Sequence, residues 1–476
     1  MPRIPNSRQA YSALNKRVER YLLAITGIYR LMEREAAKAV LLTNFDGSRP
    51  FRFNDYPETR RAIKKMQAEF ARGLNANIVN GINEEWLNAN LFSDKLTRTA
   101  LNRYGAISTS EQFRRYFNNN DEARKAFLKR KMNGMTISDR VWNISNDHRQ
   151  NLEAAISTAI EGGTDAITLS KQISRYLQDF DKLRADYTEK FGTATNINDC
   201  EYRSARLART EINMAYRTAE SERWQQLDFV VGFEVKRSSV PYDCPLCDEL
   251  KGKFPKDFVF AGWHPNCRCY QIPIMKTEKE FWAYDGRGEE TTESVNEIKD
   301  VSDRFKQWVA ENSERIEVAE KNGSLPFFLQ ENKTFMDDAL LNNLTWQQKI
   351  DMQPKVASAS VKRLLLGKTI ELPDTGSRTT GELRLNFKGL KDYLAASHSP
   401  SSESKWILHE MYRNPQRIRY DRFYPLDMSR PNIDRKIKDG FTGFNHYLFR
   451  HNGETWRVGM AVINDKYERP YFITKA

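Results

Sequence analysis

A chain of 476 residues, 39% hydrophobic and 29% charged, exceeds what one hydrophobic core usually serves, so two or three domains are expected. Its 12% aromatic content excludes a disordered polyelectrolyte, and no run approaches the roughly 18 apolar residues that span a bilayer. The 75 Lys and Arg outnumber the 63 Asp and Glu, a formal charge of +12, which attracts polyanions such as nucleic acid or anionic lipid without selecting among them.

The first residues, MPRIPNSRQAYSALNKR, lack the apolar core of a signal peptide, so synthesis and residence in a reducing cytoplasm are expected. Tyr11, Leu14, Val18, Tyr21, Leu22, Ile25, Ile28, Tyr29 and Met32 recur at steps of three and four, which predicts a long amphipathic helix. Leu152, Ala155, Ile156, Ala159 and Ile160 repeat the pattern, Gly162 and Gly163 stop it, and Thr164 is placed to cap a further helix running through Ile173 and Leu177. In SARLARTEINMAYRTAESERW, Arg206, Arg209, Asn213 and Arg217 fall on one helical face and Ala208, Ile212, Ala215 and Ala219 on another. A solvated face, paired with Glu211, Glu220 and Glu222, is the expected use of those charges; contact with DNA or an acidic partner is the other reading.

After Trp224 the β-branched and aromatic run DFVVGFEV predicts a strand. Four of the five cysteines follow, as Cys244-Pro-Leu-Cys247 and, sixteen residues later, His264-Pro-Asn-Cys267-Arg-Cys269. A C-x-x-C turn converges two sulfurs on one ion, and residues two apart in an extended segment point to the same side. Four thiolates, or three with His264, would make a closed structural zinc site with no position for water. Disulfides formed outside the cell and free thiols are the other two readings. Cys200 lies apart and is expected to be a buried thiol.

From Lys276 to Glu297 the chain is charged and poor in aliphatic residues, then VSDRFKQWVAENSERIEVAEKNG predicts a helix ended by Gly323. A boundary is expected near Ser324 and Pro326. Beyond it, MDDALLNNLTWQQKIDMQ and SSESKWILHEMYR read as helical. HYLFRHNGETWRVGMAVI places Asn452-Gly453 between two alternating runs, the signature of a tight hairpin, and RPYFITK supplies a third strand. The fold class expected is α+β and multidomain: a helical arm over 1–130, a cysteine and histidine domain over 131–275, a charged linker and helix over 276–325, and an α+β domain over 326–476.

Several of these segments resemble the phage Mu F-like head morphogenesis proteins, the minor head proteins of tailed bacteriophages. The resemblance is carried by the helix LARTEINMAYRTAESERW, the strand VGFEVKRS, the pair CPLC and the segment HPNCRCYQIPI. RVWNISNDHRQNLEAAISTAIEGGTDAITLSKQISRYL upstream and FKQWVAENSERIEVAEKNGSLPFFLQEN downstream extend it to roughly residues 130 to 332. It implies a virion component present in few copies inside the head near the portal, acting in head assembly and in DNA packaging or delivery. The implied partners are portal and capsid proteins and phage DNA, bound without sequence preference, with no membrane. A zinc-stabilised, non-catalytic module for nucleic-acid or protein interaction is the alternative.

Residues 326 to 476 hold 24 Lys and Arg against 17 Asp and Glu, an excess of seven positive charges. In their order of helices and strands they loosely resemble phage-borne nucleases of the barnase, EndoU, colicin and RelE-like group, which implies a ribonuclease toxin with RNA as its substrate. Metal-independent RNA cleavage needs a base for the 2′-hydroxyl proton, an acid for the leaving oxygen and cations beside the phosphate. If Trp456, Val458, Met460 and Val462 face a core, strand alternation leaves His446, Arg450, Arg457 and Thr474 to share the open face as candidate catalytic residues. His451 and His409 are further candidates.

Overall fold

The computed structural model describes residues 4–45, 47–104, 109–160, 165–238, 243–282, 294–373, 379–395 and 401–476. Two compact units divide the chain between Phe335 and Met336. The first is mainly helical with a small sheet and the second sets helices on a larger one, so the chain is α+β. Among the described residues no helix is long and apolar enough to cross a membrane.

In the first unit, helices Ser7–Val40, Pro57–Tyr104, Ile137–Ala159 and Cys200–Gln226 pack against one another. Asn6 caps the first through the backbone N–H of Gln9. Its stripe turns inward as the spacing predicts: Tyr11, Leu14, Val18, Ile25, Tyr29 and Met32 are buried. They share one core with Phe70, Ile78 and Trp86 of the second helix and Ala208, Ile212, Ala215 and Ala219 of the fourth. Residues 1–130, read above as an arm, therefore contribute to the same core as the domain that follows. The expected cap at Thr164, with Gly162 and Gly163, lies outside the described residues; Asp165 caps helix Ala166–Tyr176 by accepting from the N–H groups of Ile167 and Thr168.

The polar face of Cys200–Gln226 is only in part the solvated surface that its charges suggested: Arg206 is exposed, but Asn213 and Arg217 are buried. Neighbouring helices enclose the buried part, and a buried charge has to find its partner inside. Glu211 accepts from Arg130 at 2.6 Å and from Arg140 at 2.9 Å; Glu220, its carboxyl kept protonated by burial, accepts from the Tyr11 hydroxyl at 2.6 Å. Arg209, at the edge, does pair outward with Glu19. Cys200 is buried at the helix start, where burial first of all pushes its thiol up to about 12.

Strand β1 (Val230–Lys236) is the centre of a three-stranded sheet, flanked by β2 (Gly252–Phe254) and β3 (Tyr270–Met275), both antiparallel to it. Val235 pairs with Gly252 on one side, and Lys236 pairs with Tyr270 on the other. The starts of β2 and β3 thus flank the same end of β1. The expected single helix after residue 300 is two, Asp303–Glu311 and Ser313–Lys321, separated at Asn312. Phe305 and Val309 of the first are buried, with Phe305 edge-on to Phe254 and Phe258, so this part of the expected linker is packed structure.

In the second unit, helices Pro354–Leu365, Phe387–Leu394 and Ser402–Arg413 share a core with a six-stranded sheet. Its strands are β4 (Thr369–Glu371), β5 (Glu382–Arg384), β6 (Ile418–Pro425), β7 (Phe441–His451), β8 (Glu454–Ile463) and β9 (Tyr467–Lys475), in the order β4-β5-β9-β8-β7-β6. Trp456, Val458, Met460 and Ile473 meet Trp406 and Met411 in that core, together with Tyr447 and Phe449. Asn452 and Gly453 have φ of 49° and 81°, the pair of positive values that a two-residue turn compatible with strand twist requires. Asn464 and Asp465 repeat it between β8 and β9 with φ of 50° and 52°.

Candidate metal centre and open sheet face

The strand order explains the meeting of the cysteines. Cys244 and Cys247 lie just before β2 and Cys267 and Cys269 just before β3, and both strands start beside the same end of β1. Cys247 sits in the short helix Pro245–Leu250, which orients its sulfur inward. Two overlapping groups result: Cys244, Cys247 and His264, and Cys247, Cys267 and Cys269, with the ligand atoms of each group within 4.8 Å of one another. All five residues expected from the spacing are brought together, and the cluster could hold a metal ion.

The distances suit one. Cys247 Sγ and Cys267 Sγ are 3.9 Å apart, against about 3.8 Å between two thiolates tetrahedral about an ion with 2.3 Å bonds. His264 Nε2 lies 3.2 Å from Cys244 Sγ and 3.1 Å from Cys247 Sγ. His264 Nδ1 is 2.7 Å from the Pro265 carbonyl oxygen, to which it donates; that bond leaves Nε2 bare and aimed at the sulfurs, as an orienting partner of a ligand histidine does. Burial works against a Cys267 thiolate, but hydrogen bonds from the Cys247 and Cys269 thiols and the charge of Arg217 hold it well below the usual thiol range. Cys247, the donor to Cys267, is pushed up. A bound cation would favour the ionised form of the sulfurs that ligate it.

Arg217, read from the sequence only as part of a polar helical face, is the residue whose place at the cluster was missed. From the central helix it donates to the carbonyls of Ala261 at 3.0 Å, Cys267 at 2.7 Å and Cys269 at 2.8 Å, fixing the backbone of the second ligand pair and placing a positive charge beneath the thiolates. Thr210, one face away, accepts from the Asn266 N–H at 3.1 Å. Gly262 has φ of +116°, and a Cβ there would meet Arg217 Nη1 at 2.6 Å. The available signal was the burial of Ala208, Ile212 and Ala219 on the same helix, which alternation of charge obscured.

In the second unit, register decides which of the other candidates meet. Arg457 pairs with Leu448 of β7 and with Thr474 of β9, while His446 pairs with Gly459 of β8. Directly paired residues share a face, so His446, Arg457 and Thr474 share one, with Arg457 diagonal to His446. Arg450 shares that face too, but it stands four residues from His446, about 13 Å along the strand. Strand β6, which the sequence reading did not foresee, brings Arg422 opposite His446. The His446 ring lies 4.2 Å from that of Tyr424 and 5.2 Å from that of Phe472. Burial first, then the charges of Arg457 and Arg422, lower its pKa against the opposing pull of Asp421.

His451 and His409 belong elsewhere. His451 stacks on Phe449 and meets Trp346, on the face that the helices cover, and His409 is buried beside Asn342 and Glu410. The two do not join His446. Comparison of the chain with protein-family models, with curated proteins and with solved structures returns no match.

Proposed function

We propose that this chain is a minor head protein of a tailed bacteriophage, held inside the head near the portal and acting in head assembly and in DNA packaging or delivery. One observation carries the reading: the segments that resemble the Mu F-like proteins, distant in sequence, converge on a single cysteine and histidine cluster backed by Arg217. In this proposal the cluster holds zinc through Cys244, Cys247, His264 and Cys267. With four protein donors the ion is structural, tying the loops before β2 and β3 to the central helix, and adds folding free energy instead of activating water. The partners are portal and capsid proteins, and DNA held without sequence preference through the chain's positive excess. Purified particles should contain a few copies per head, and deletion should leave heads empty; particles that lack the protein, or fill without it, reject the role.

The shared face of His446, Arg457 and Thr474 favours a second activity in the same chain, metal-independent RNA cleavage by the second unit. His446, neutral near pH 7, takes the 2′-hydroxyl proton while the 2′ oxygen attacks phosphorus. The bond to the 5′ oxygen breaks, that oxygen leaves with a proton from water, and Arg457 offsets charge on the phosphate. The expected products are a 2′,3′-cyclic phosphate and a 5′-hydroxyl end. Cleavage that persists in a chelator and disappears in His446→Ala supports this reading; RNA left intact by the native chain removes it.

A further inference from the structure

Beyond the three candidate residues, the open face carries a continuous mixture of rings and cations. Along β7, Phe444 precedes His446 on the same side, about 7 Å away. Phe444 lies 4.8 Å from the Tyr471 ring, and the Lys436 ammonium sits over both rings at 5.1 and 5.2 Å. In the middle stand Tyr424, 41% exposed, His446 and Phe472, the last lying across Gly459 so closely that a Cβ there would meet its ring at 2.2 Å. At the far end come the exposed Arg419 and Arg457, both opposite Leu448. Among the described residues no carboxylate lies within ion-pair distance of Arg419, Arg450 or Arg457, and Arg422 has only the adjacent Asp421 at 3.4 Å. Near Phe444 lies a cavity of about 420 Å³ whose walls include Phe441, Tyr471, Lys436 and Arg469, and also the carboxylates Asp392 and Asp439.

We infer that this face binds a single-stranded polynucleotide, its bases stacked on Tyr424 and on the Phe444 and Tyr471 pair, and its phosphates met by Arg422, Arg457 and Lys436. Arg419, Arg450 and Arg457, with no carboxylate at ion-pair distance among the described residues, suit a polyanion, and the rings between them suit bases. A duplex hides its base faces, whereas a single strand offers both a ring to each aromatic side chain and a charge to each cation. The inference deepens the reading of the His446 face as an RNA-cleaving site, but binding does not require cleavage.

Fluorescence anisotropy of the full chain with labelled oligo(U), oligo(dT) and matched duplexes of about ten nucleotides tests it. Duplexes should not depend on this face, whereas single strands should bind through it. Tyr424→Ala, at an exposed side chain, should weaken that binding about tenfold, and Arg422→Gln should lower its salt dependence by about one phosphate contact. Preference for oligo(U) identifies RNA as the ligand, and equal binding of oligo(dT) extends it to single-stranded DNA. Unchanged single-strand affinity in Tyr424→Ala, or an equal loss of duplex affinity in that variant, overturns the inference; duplex binding that the variant leaves intact, with single-strand binding weakened, supports it. Binding with RNA left intact rejects the cleavage reading alone; cleavage with affinity unchanged in Tyr424→Ala rejects this one alone.

Discussion

Glu220 is fully buried and its two oxygens are unequal. Oε2 accepts from the Tyr11 hydroxyl at 2.6 Å and from Gln271 Nε2 at 3.2 Å, while Oε1 is buried with no hydrogen-bond partner. Burial pushes the carboxyl up to about 8 from an ordinary 4.5, against the opposing pull of those two hydrogen bonds and of Arg217. The folded chain therefore keeps a proton that the unfolded chain releases above pH 4.5. Stability falls as pH rises from there and levels off above about 8. At about 1.4 kcal/mol per pH unit the full effect is on the order of 5 kcal/mol, of which about 3 kcal/mol lies between pH 5.5 and 7.5. Glu220→Gln keeps the shape and the acceptor of both hydrogen bonds but cannot titrate. In urea unfolding followed by tryptophan fluorescence, the stability of the variant relative to the native chain should grow by that amount across the interval. His148, buried and held neutral by burial with its pKa lowered to about 3, is common to both proteins and cancels. Parallel profiles would refute the account of Glu220 as a buried, protonated acid.

Gly262→Ala places a methyl against Arg217 and a side chain at positive φ; a loss of roughly 1–3 kcal/mol is expected, with faster release of metal to a chromophoric chelator. Cys247 belongs to both donor groups, so Cys247→Ser should abolish metal binding in elemental analysis, whereas Cys269→Ser, outside the proposed ligand set, should retain one ion per chain. Lys349 and Glu410 form a buried ion pair at 2.6 Å in the second unit. Lys349→Met strands the carboxylate and should cost on the order of 3–5 kcal/mol in denaturant unfolding, most of it regained on adding Glu410→Gln; additive losses would show that the pair is not coupled.

Local chemistry was readable wherever neighbours in sequence are neighbours in space. The periodic stripe from Tyr11 to Met32, the Asn452-Gly453 turn and the inward face of Trp456, Val458 and Met460 need only the periods of helix and strand. The ligand spacing of the cysteines was legible for the same reason, since a C-x-x-C turn and an extended C-x-C segment each converge without help. Charge was the misleading signal. Arg217, Glu211 and Glu220 look like a solvated face because a single helix does not reveal how many neighbours will surround it.

Helix and strand periods therefore settled which side chains could converge, because bond geometry repeats along any chain whatever its surroundings. Packing settled which of them did. Antiparallel pairing of β2 and β3 with one end of β1 joined two loops into a single cluster, and the register of β6 to β9 set Arg422 and Arg457 beside His446 while sending His451 to the opposite side. Those pairings arise from contacts between residues far apart in the chain, and a one-residue slip would reverse every side chain of a strand.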